Sequence, residues 1–175
     1  MSRNNIMQFF KEAIAERHSR MEQLPFIVAL TDGSLPIAAY NAQLRSLSVV
    51  HATIEHELKQ LPQNMVHTLL LSRPSRLAQL RRDITALNMD YAPMNQEIFS
   101  QAGFIAEKIR LFGHKAPEKL VAVLYLMEGT TFGNLYHLPD IQKSFGDQLT
   151  EATHYYTGYG DDTVGCWADG RNHQG

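Results

Sequence analysis

The chain has 175 residues, of which 44% are apolar and 19% charged, so wholesale disorder is excluded and one globular domain is expected. Its 16 basic and 18 acidic residues give a net charge of −2, which excludes the basic footprint of a nucleic-acid-binding protein. The single cysteine, Cys166, excludes an intrachain disulfide, and no apolar run reaches the length of a membrane span. We therefore expect a cytoplasmic protein with neither nucleic acid nor membrane as a partner.

The first predicted element is a helix from about Asn4 to Gln23. His18 lies on the apolar stripe of this helix. An unpaired imidazole there costs on the order of 1–3 kcal/mol, so His18 needs a hydrogen bond or a metal ion. Glu22 follows four residues later, at the spacing that brings two helical side chains together. Glu22 therefore either hydrogen-bonds a core histidine or orients a histidine that binds a metal. The predicted stripe consists of Met7, Phe10, Ile14, His18 and Met21.

The second predicted helix is long and begins after a proline. Ser34 is its expected cap, and apolar residues recur at steps of three and four from Pro36 to Leu61. His51 lies on this apolar face. A lone histidine in that position is either a satisfied core residue or part of a functional site.

Two further helices follow the next prolines in the chain. The first of them begins near Pro74 with Ser72 as its expected cap, and its apolar residues recur as far as Leu87. The other follows Pro93 and ends at Gly113, which we expect to be its C-terminal cap.

The next predicted helix contains two glycines. It begins at Pro117 and is expected to end near Pro139, because proline interrupts the hydrogen bonds of a helix. Gly129 and Gly133 each cost about 1 kcal/mol relative to alanine in this setting. Either a flat ligand approaches the bare backbone, or a neighbouring helix packs closely against it, and both interpretations stay open.

No segment alternates between apolar and polar residues as a strand does, so the sequence predicts an all-α, single-domain bundle of about seven or eight helices. Residues 170–175 form a polar tail after a domain of residues 1–169, and we expect either a truncated chain or one module of a longer protein. No histidine or cysteine cluster has zinc-ligand spacing. The histidines to which we assign no role are His56, His67, His114, His154 and His173.

Three stretches of the chain are distinctive when taken together. The first contains His18 and reads AERHSRMEQLPF, the second contains both glycines and reads LYLMEGTTFGNLYHL, and the third reads YYTGYGDDTVGCW. All three resemble the haem oxygenase family, in particular its bacterial, biliverdin-producing branch. Their order and separation agree with the family over nearly the whole chain. The resemblance implies the haem oxygenase-like helical fold, with haem between the first helix and the glycine-containing distal helix.

The resemblance also implies roles for individual residues. His18 is the implied axial iron ligand, with Glu22 as its hydrogen-bond partner, and Lys11 is implied to pair with a haem propionate. Gly129 and Gly133 match the glycines whose backbone passes over the distal face of the haem.

Two further positions concern the distal side. Thr130 or Thr131 is implied to organise water there. His51 falls where the animal enzymes have a distal tyrosine, so that it either joins the water network or binds iron.

The reaction that this resemblance implies converts haem, as both substrate and cofactor, to biliverdin, carbon monoxide and ferrous iron. It uses O2 and electrons from an external ferredoxin or reductase. Two alternatives stay open: a haem- or tetrapyrrole-binding sensor that does not degrade its ligand, and a scaffold without haem, as in thiaminase-like and quinone-cofactor relatives. We expect a monomer, or one module of a larger protein.

Overall fold

The computed structural model describes residues 15–17, 19–62, 74–89, 96–149 and 151–160. Within these ranges the chain is helical and contains no β-strand, which confirms the predicted all-α fold. Residues 15–17 and 19–22 are helical, and the elements that follow are α1 (Pro25–Asp32), α2 (Ile37–Lys59), α3 (Arg76–Leu87), α4 (Gln96–Lys115), α5 (Glu118–Phe145), a 3-10 helix (Gly146–Leu149) and α6 (His154–Thr157). None of the helices in the described ranges combines the length and the apolar character that crossing a membrane requires.

Helix α2 occupies almost the whole range that its apolar periodicity predicts. It ends at Lys59, close to the predicted end at Leu61. The expectation that Ser34 caps this helix is wrong, because Pro36 occupies the N-cap position. The backbone N–H of Ser34 instead donates to the Asp32 carboxylate at 2.8 Å, which closes the turn after α1.

A carboxylate of α2 holds the start of α3. Ser75, rather than the predicted Ser72, is the N-cap residue, and its hydroxyl oxygen accepts from the N–H of Ala78 at 3.1 Å. Ser72 lies outside the described residues. Glu55 accepts from the Ser75 hydroxyl at 2.8 Å and from the Leu77 N–H at 2.9 Å. A negative charge at a helix start also complements the helix dipole, so Glu55 joins the two helices.

Helix α4 continues past the glycine at which we expected it to end. It reaches Lys115, so Gly113 is an interior residue and not a C-cap. A Cβ atom at Gly113 would overlap the carboxylate of Glu57, which is buried on α2. The glycine therefore allows α2 and α4 to approach each other.

Helix α5 also runs further than predicted, because it passes through Pro139 to Phe145. Proline in a helix interior removes one backbone donor and costs about 3 kcal/mol. Beyond it, Ile141 and Phe145 are buried in the core, and this apolar burial offsets the local cost.

The buried apolar residues form two clusters, at the two ends of α2 and α5. The first cluster contains Leu30, Leu35, Tyr40, Leu44, Leu80, Ile141, Phe145, Leu149, Ala152, Tyr155 and Tyr156. The second contains Val50, Ile54, Leu58, Leu61, Ala102, Ile109, Leu120 and Leu124. Three buried polar residues lie near the boundary between the two clusters: Glu128 and Thr131 between them on α5, and His51 one residue after Val50 on α2. This middle level is where a functional site is to be sought.

Candidate functional site

Among the described residues, nothing from outside the local helix packs on the two glycines of α5. A Cβ atom built at either Gly129 or Gly133 would meet no heavy atom of those residues within 4 Å. Close packing of a neighbouring helix, one of the two interpretations left open by the sequence, would place atoms within that distance. The structure therefore favours the other interpretation, in which the bare backbone is accessible to a ligand.

Large apolar side chains on the same side of α5 are exposed. Leu126 lies one turn before Gly129 and is 67% exposed, and Tyr136 lies one turn after Gly133 and is 81% exposed. Tyr125 is 64% exposed. We call Tyr125, Leu126, Gly129, Gly133 and Tyr136 the glycine face. An exposed apolar surface of this kind marks a site for a ligand or a partner.

The two threonines between the glycines point to different sides of α5. Thr130 is exposed, and its hydroxyl donates to the carbonyl oxygen of Met127 at 2.6 Å. Thr131 is only 1% exposed, so it belongs to the buried middle level. Because the Thr130 proton is used within the helix, its hydroxyl oxygen is available to accept hydrogen bonds. Thr130 is therefore the threonine that accompanies the glycine face.

His51 is buried on α2, as its place in the apolar pattern predicts. Its Nε2 atom lies 3.2 Å from the hydroxyl oxygen of Tyr155, and the two rings meet edge to face at 5.5 Å. Burial lowers the pKa of the imidazole to about 3, and the positive charge of Arg76 contributes in the same direction. His51 is therefore neutral at physiological pH.

Tyr155 belongs to a polar network that the sequence analysis missed. The guanidinium carbon of Arg76, a buried residue, lies 4.2 Å from the centre of the Tyr155 ring and 5.5 Å from that of Tyr159. The Tyr159 hydroxyl lies 2.9 Å from both carboxylate oxygens of Glu128, on α5. The network thus runs from His51 on α2 through α6 and α3 to α5. The signal that could have found it is the stretch YYTGYG, which contains both tyrosines.

The start of α6 is capped by a buried carboxylate of α3. Asp83 is fully buried and accepts from the backbone N–H groups of His154 and Tyr155 at 2.9 and 2.8 Å. His154 also places Nδ1 2.7 Å from Asp83. His154, to which the sequence assigns no functional role, therefore has a structural contact that periodicity does not show, because the two residues are 71 positions apart.

The amino-terminal side of the predicted site is described only in part. His18 and Lys11 lie outside the described residues, so their roles stay predictions. Glu22 is exposed on the helical segment of residues 19–22. Met21 is 48% exposed, so it is not the core residue that the predicted stripe implies. The chain turns at residues 23 and 24, and the first buried one among the described residues is Leu30, on α1.

The carboxylates near His51 are engaged in the fold. Glu55 holds the start of α3, and Glu57 packs against Gly113. Within the described ranges, no three histidine, cysteine, aspartate or glutamate side chains are grouped so that they could hold a metal ion.

Comparison with known proteins assigns the chain to a family. The family model described as haem oxygenase matches residues 4–168. No curated protein sequence matches the chain. The matched range includes the first helical segment, the glycine face and the Tyr155 network. This chain belongs to the haem oxygenase family.

Proposed function

We propose that the chain is a haem oxygenase of the biliverdin-producing type, with haem bound against the glycine face. The observation that carries this proposal is the space over Gly129 and Gly133, in which no other described element comes within 4 Å of a Cβ position, flanked by exposed apolar side chains. A flat, largely apolar macrocycle suits this surface, because a backbone without side chains admits it closely and the flanking residues gain apolar contact.

We propose that the predicted amino-terminal helix, from about Asn4 to Gln23, binds the opposite side of the ligand. In this proposal His18 holds the iron, Glu22 fixes the orientation of its ring, and Lys11 pairs with a propionate. The exposure of Glu22 and Met21 is compatible with a surface that faces a ligand instead of the apolar core. A carboxylate that accepts a hydrogen bond from the far ring nitrogen makes an imidazole a better metal ligand.

Bound haem supplies the iron at which O2 is activated and the macrocycle that is cleaved. On the distal side, we propose that residues without bulky side chains keep space free for the ligand and that a polar residue positions water. Gly129 and Gly133 would leave space for the ligand beside α5, and the Thr130 hydroxyl oxygen, whose proton is donated to Met127, would accept a hydrogen bond from water. His51 adds no positive charge, because its imidazole is neutral.

The products of the reaction and the partners of the chain follow from the same proposed activity. Biliverdin, carbon monoxide and ferrous iron are the proposed products, and a ferredoxin or another reductase is the proposed electron donor. A cytoplasmic location and a domain of residues 1–169 belong to the same proposal.

The test is a hemin titration followed by turnover. Purified chain is titrated with hemin, and reduced ferredoxin or ascorbate is then added under air while the Soret band is followed. We expect the Soret band to disappear and a biliverdin band to form. A stable haem complex that yields no biliverdin would contradict degradation and support the sensor alternative.

The iron ligand is tested in the same titration. We expect His18→Ala to lower hemin affinity and shift the Soret band, whereas His56→Ala, at an exposed position of α2, should leave both unchanged. An unchanged spectrum in His18→Ala would exclude His18 as the ligand.

A further inference from the structure

We propose that Tyr155 is a positioning residue that fixes the tautomer of His51, so that the buried imidazole keeps a proton to donate but has no free lone pair with which to bind iron. This inference rests on the proposed function, since it concerns which histidine can bind the haem iron. The sequence left two possibilities for His51, a hydrogen-bonding role and an iron-binding role.

The contact between the two side chains is well defined. The Nε2 atom of His51 and the hydroxyl oxygen of Tyr155 are 3.2 Å apart, and the residues are 4% and 2% exposed. The two rings are inclined at 71°, in an edge-to-face arrangement. Water competes poorly for a hydrogen bond at this depth.

The proton in this hydrogen bond comes from the phenol. A phenol O–H is a far better donor than the N–H of a neutral imidazole, whose bare nitrogen is the better acceptor. The Tyr155 hydroxyl therefore donates to Nε2 of His51, and the ring proton resides on Nδ1. The hydrogen bond at one ring nitrogen sets the state of the other. An imidazole in this state has its single lone pair occupied.

Tyr155 cannot readily turn away, because each of its polar groups is held. Its backbone N–H donates to Asp83 at 2.8 Å, and its carbonyl oxygen accepts from Nη2 of Arg76 at 2.7 Å. The same guanidinium lies over the ring. The Arg76 charge also disfavours a second proton on His51, which keeps the imidazole neutral.

Tyr156 provides a matched control. It is also buried, at 3% exposed, and its hydroxyl donates to the side-chain oxygen of Gln43 at 2.6 Å. Tyr156→Phe thus removes a buried, hydrogen-bonded hydroxyl from the same short helix as Tyr155→Phe does. Only Tyr155→Phe removes the group that contacts His51.

The experiment measures the tautomer by NMR on the haem-free chain with 15N-labelled histidine. The His51 signals are assigned by their absence in His51→Gln. In the wild type and in Tyr156→Phe we expect Nε2 in the chemical-shift range of unprotonated imidazole nitrogen and Nδ1 in the protonated range. In Tyr155→Phe we expect Nε2 to move towards the protonated range, because the donor that fixed the tautomer is gone.

Two results would overturn the inference. One is a wild-type spectrum with the proton on Nε2, which needs no variant to fold. The other is a Tyr155→Phe spectrum identical to those of the wild type and Tyr156→Phe. Because the NMR measurement uses haem-free protein, either result leaves the proposed function unaffected. Failure to bind hemin would overturn the proposed function but would not affect the measurement of the tautomer.

Discussion

His51 is a neutral base in a protein interior, whereas an exposed histidine carries a charge over part of the physiological pH range. Burial is the main reason that its pKa falls to about 3, and the Arg76 charge acts in the same sense. In the unfolded chain the same imidazole titrates near pH 6.5. The difference ties the stability of the fold to pH at this residue.

We expect the wild type to lose stability relative to His51→Gln as the pH falls from about 6 to 4. Below the unfolded pKa, the unfolded chain binds a proton that folded His51 does not, so the loss approaches about 1.4 kcal/mol per pH unit. Urea unfolding of both chains at several pH values measures it. A difference that stays constant over this range would contradict the neutral, buried imidazole. His56→Gln, exposed on the same helix, is the control and should change stability at pH 7 by no more than about 0.5 kcal/mol.

The pKa of Asp83 is raised from its ordinary value, whereas the pKa of His51 is lowered. Burial raises the pKa of this carboxyl, although its hydrogen bonds to His154 and Tyr155 act against that rise. The folded chain therefore holds a proton on Asp83 at pH values where the unfolded chain has released it. The free energy of unfolding of the wild type, relative to Asp83→Asn, should fall as the pH rises from about 4. Urea unfolding at intervals between pH 4 and 7 checks the sign; a rise would mean that the hydrogen bonds outweigh burial.

At the scale of the helices, α4 and α5 contain glycines in contrasting surroundings. Gly113 of α4 faces the buried carboxylate of Glu57, whereas a Cβ atom at Gly129 or Gly133 of α5 would contact none of the other described elements. The same holds for Gly103 of α4 within the part of the chain that the structure describes. The same residue type thus serves helix packing at one position and leaves a surface bare at others.

We expect Gly113→Ala to destabilise the fold by about 1–3 kcal/mol, because the new methyl group displaces the Glu57 carboxylate. Gly103→Ala should instead stabilise it by up to about 1 kcal/mol, through helix propensity alone. In a Glu57→Ala background the cost of Gly113→Ala should largely vanish. Thermal and urea unfolding of this double-mutant cycle measure the coupling; additive effects would show that Glu57 is not the obstacle.

At the scale of the whole molecule, the sequence predicts what local periodicity determines. The extent of α2 and the burial of His51 followed from apolar residues at steps of three and four. The ends of α4 and α5 did not follow, because Gly113 and Pro139 are local stop signals that tertiary packing overrides. In each case the decisive contact lies on another helix or in the core.

Of the candidate site, too, the sequence predicts only the part that has a local signal. The two glycines stood out because their cost within a helix requires a reason. The Arg76–Tyr155–His51 network did not, because it joins residues up to 104 positions apart, and a buried arginine is contrary to the usual preference for the surface. Only the assembled helices bring these side chains together.

The central claim is that the glycine face of α5 binds haem, and a comparison of two glycine substitutions tests it most directly. Gly133→Leu and Gly103→Leu each add a side chain at a helical glycine where a Cβ atom would meet no described neighbour within 4 Å. Hemin titration, followed by the Soret band, should show at least about a tenfold weaker affinity for Gly133→Leu, a loss of about 1.4 kcal/mol. Gly103→Leu should bind hemin like the wild type. Equal affinities for all three chains would contradict the account.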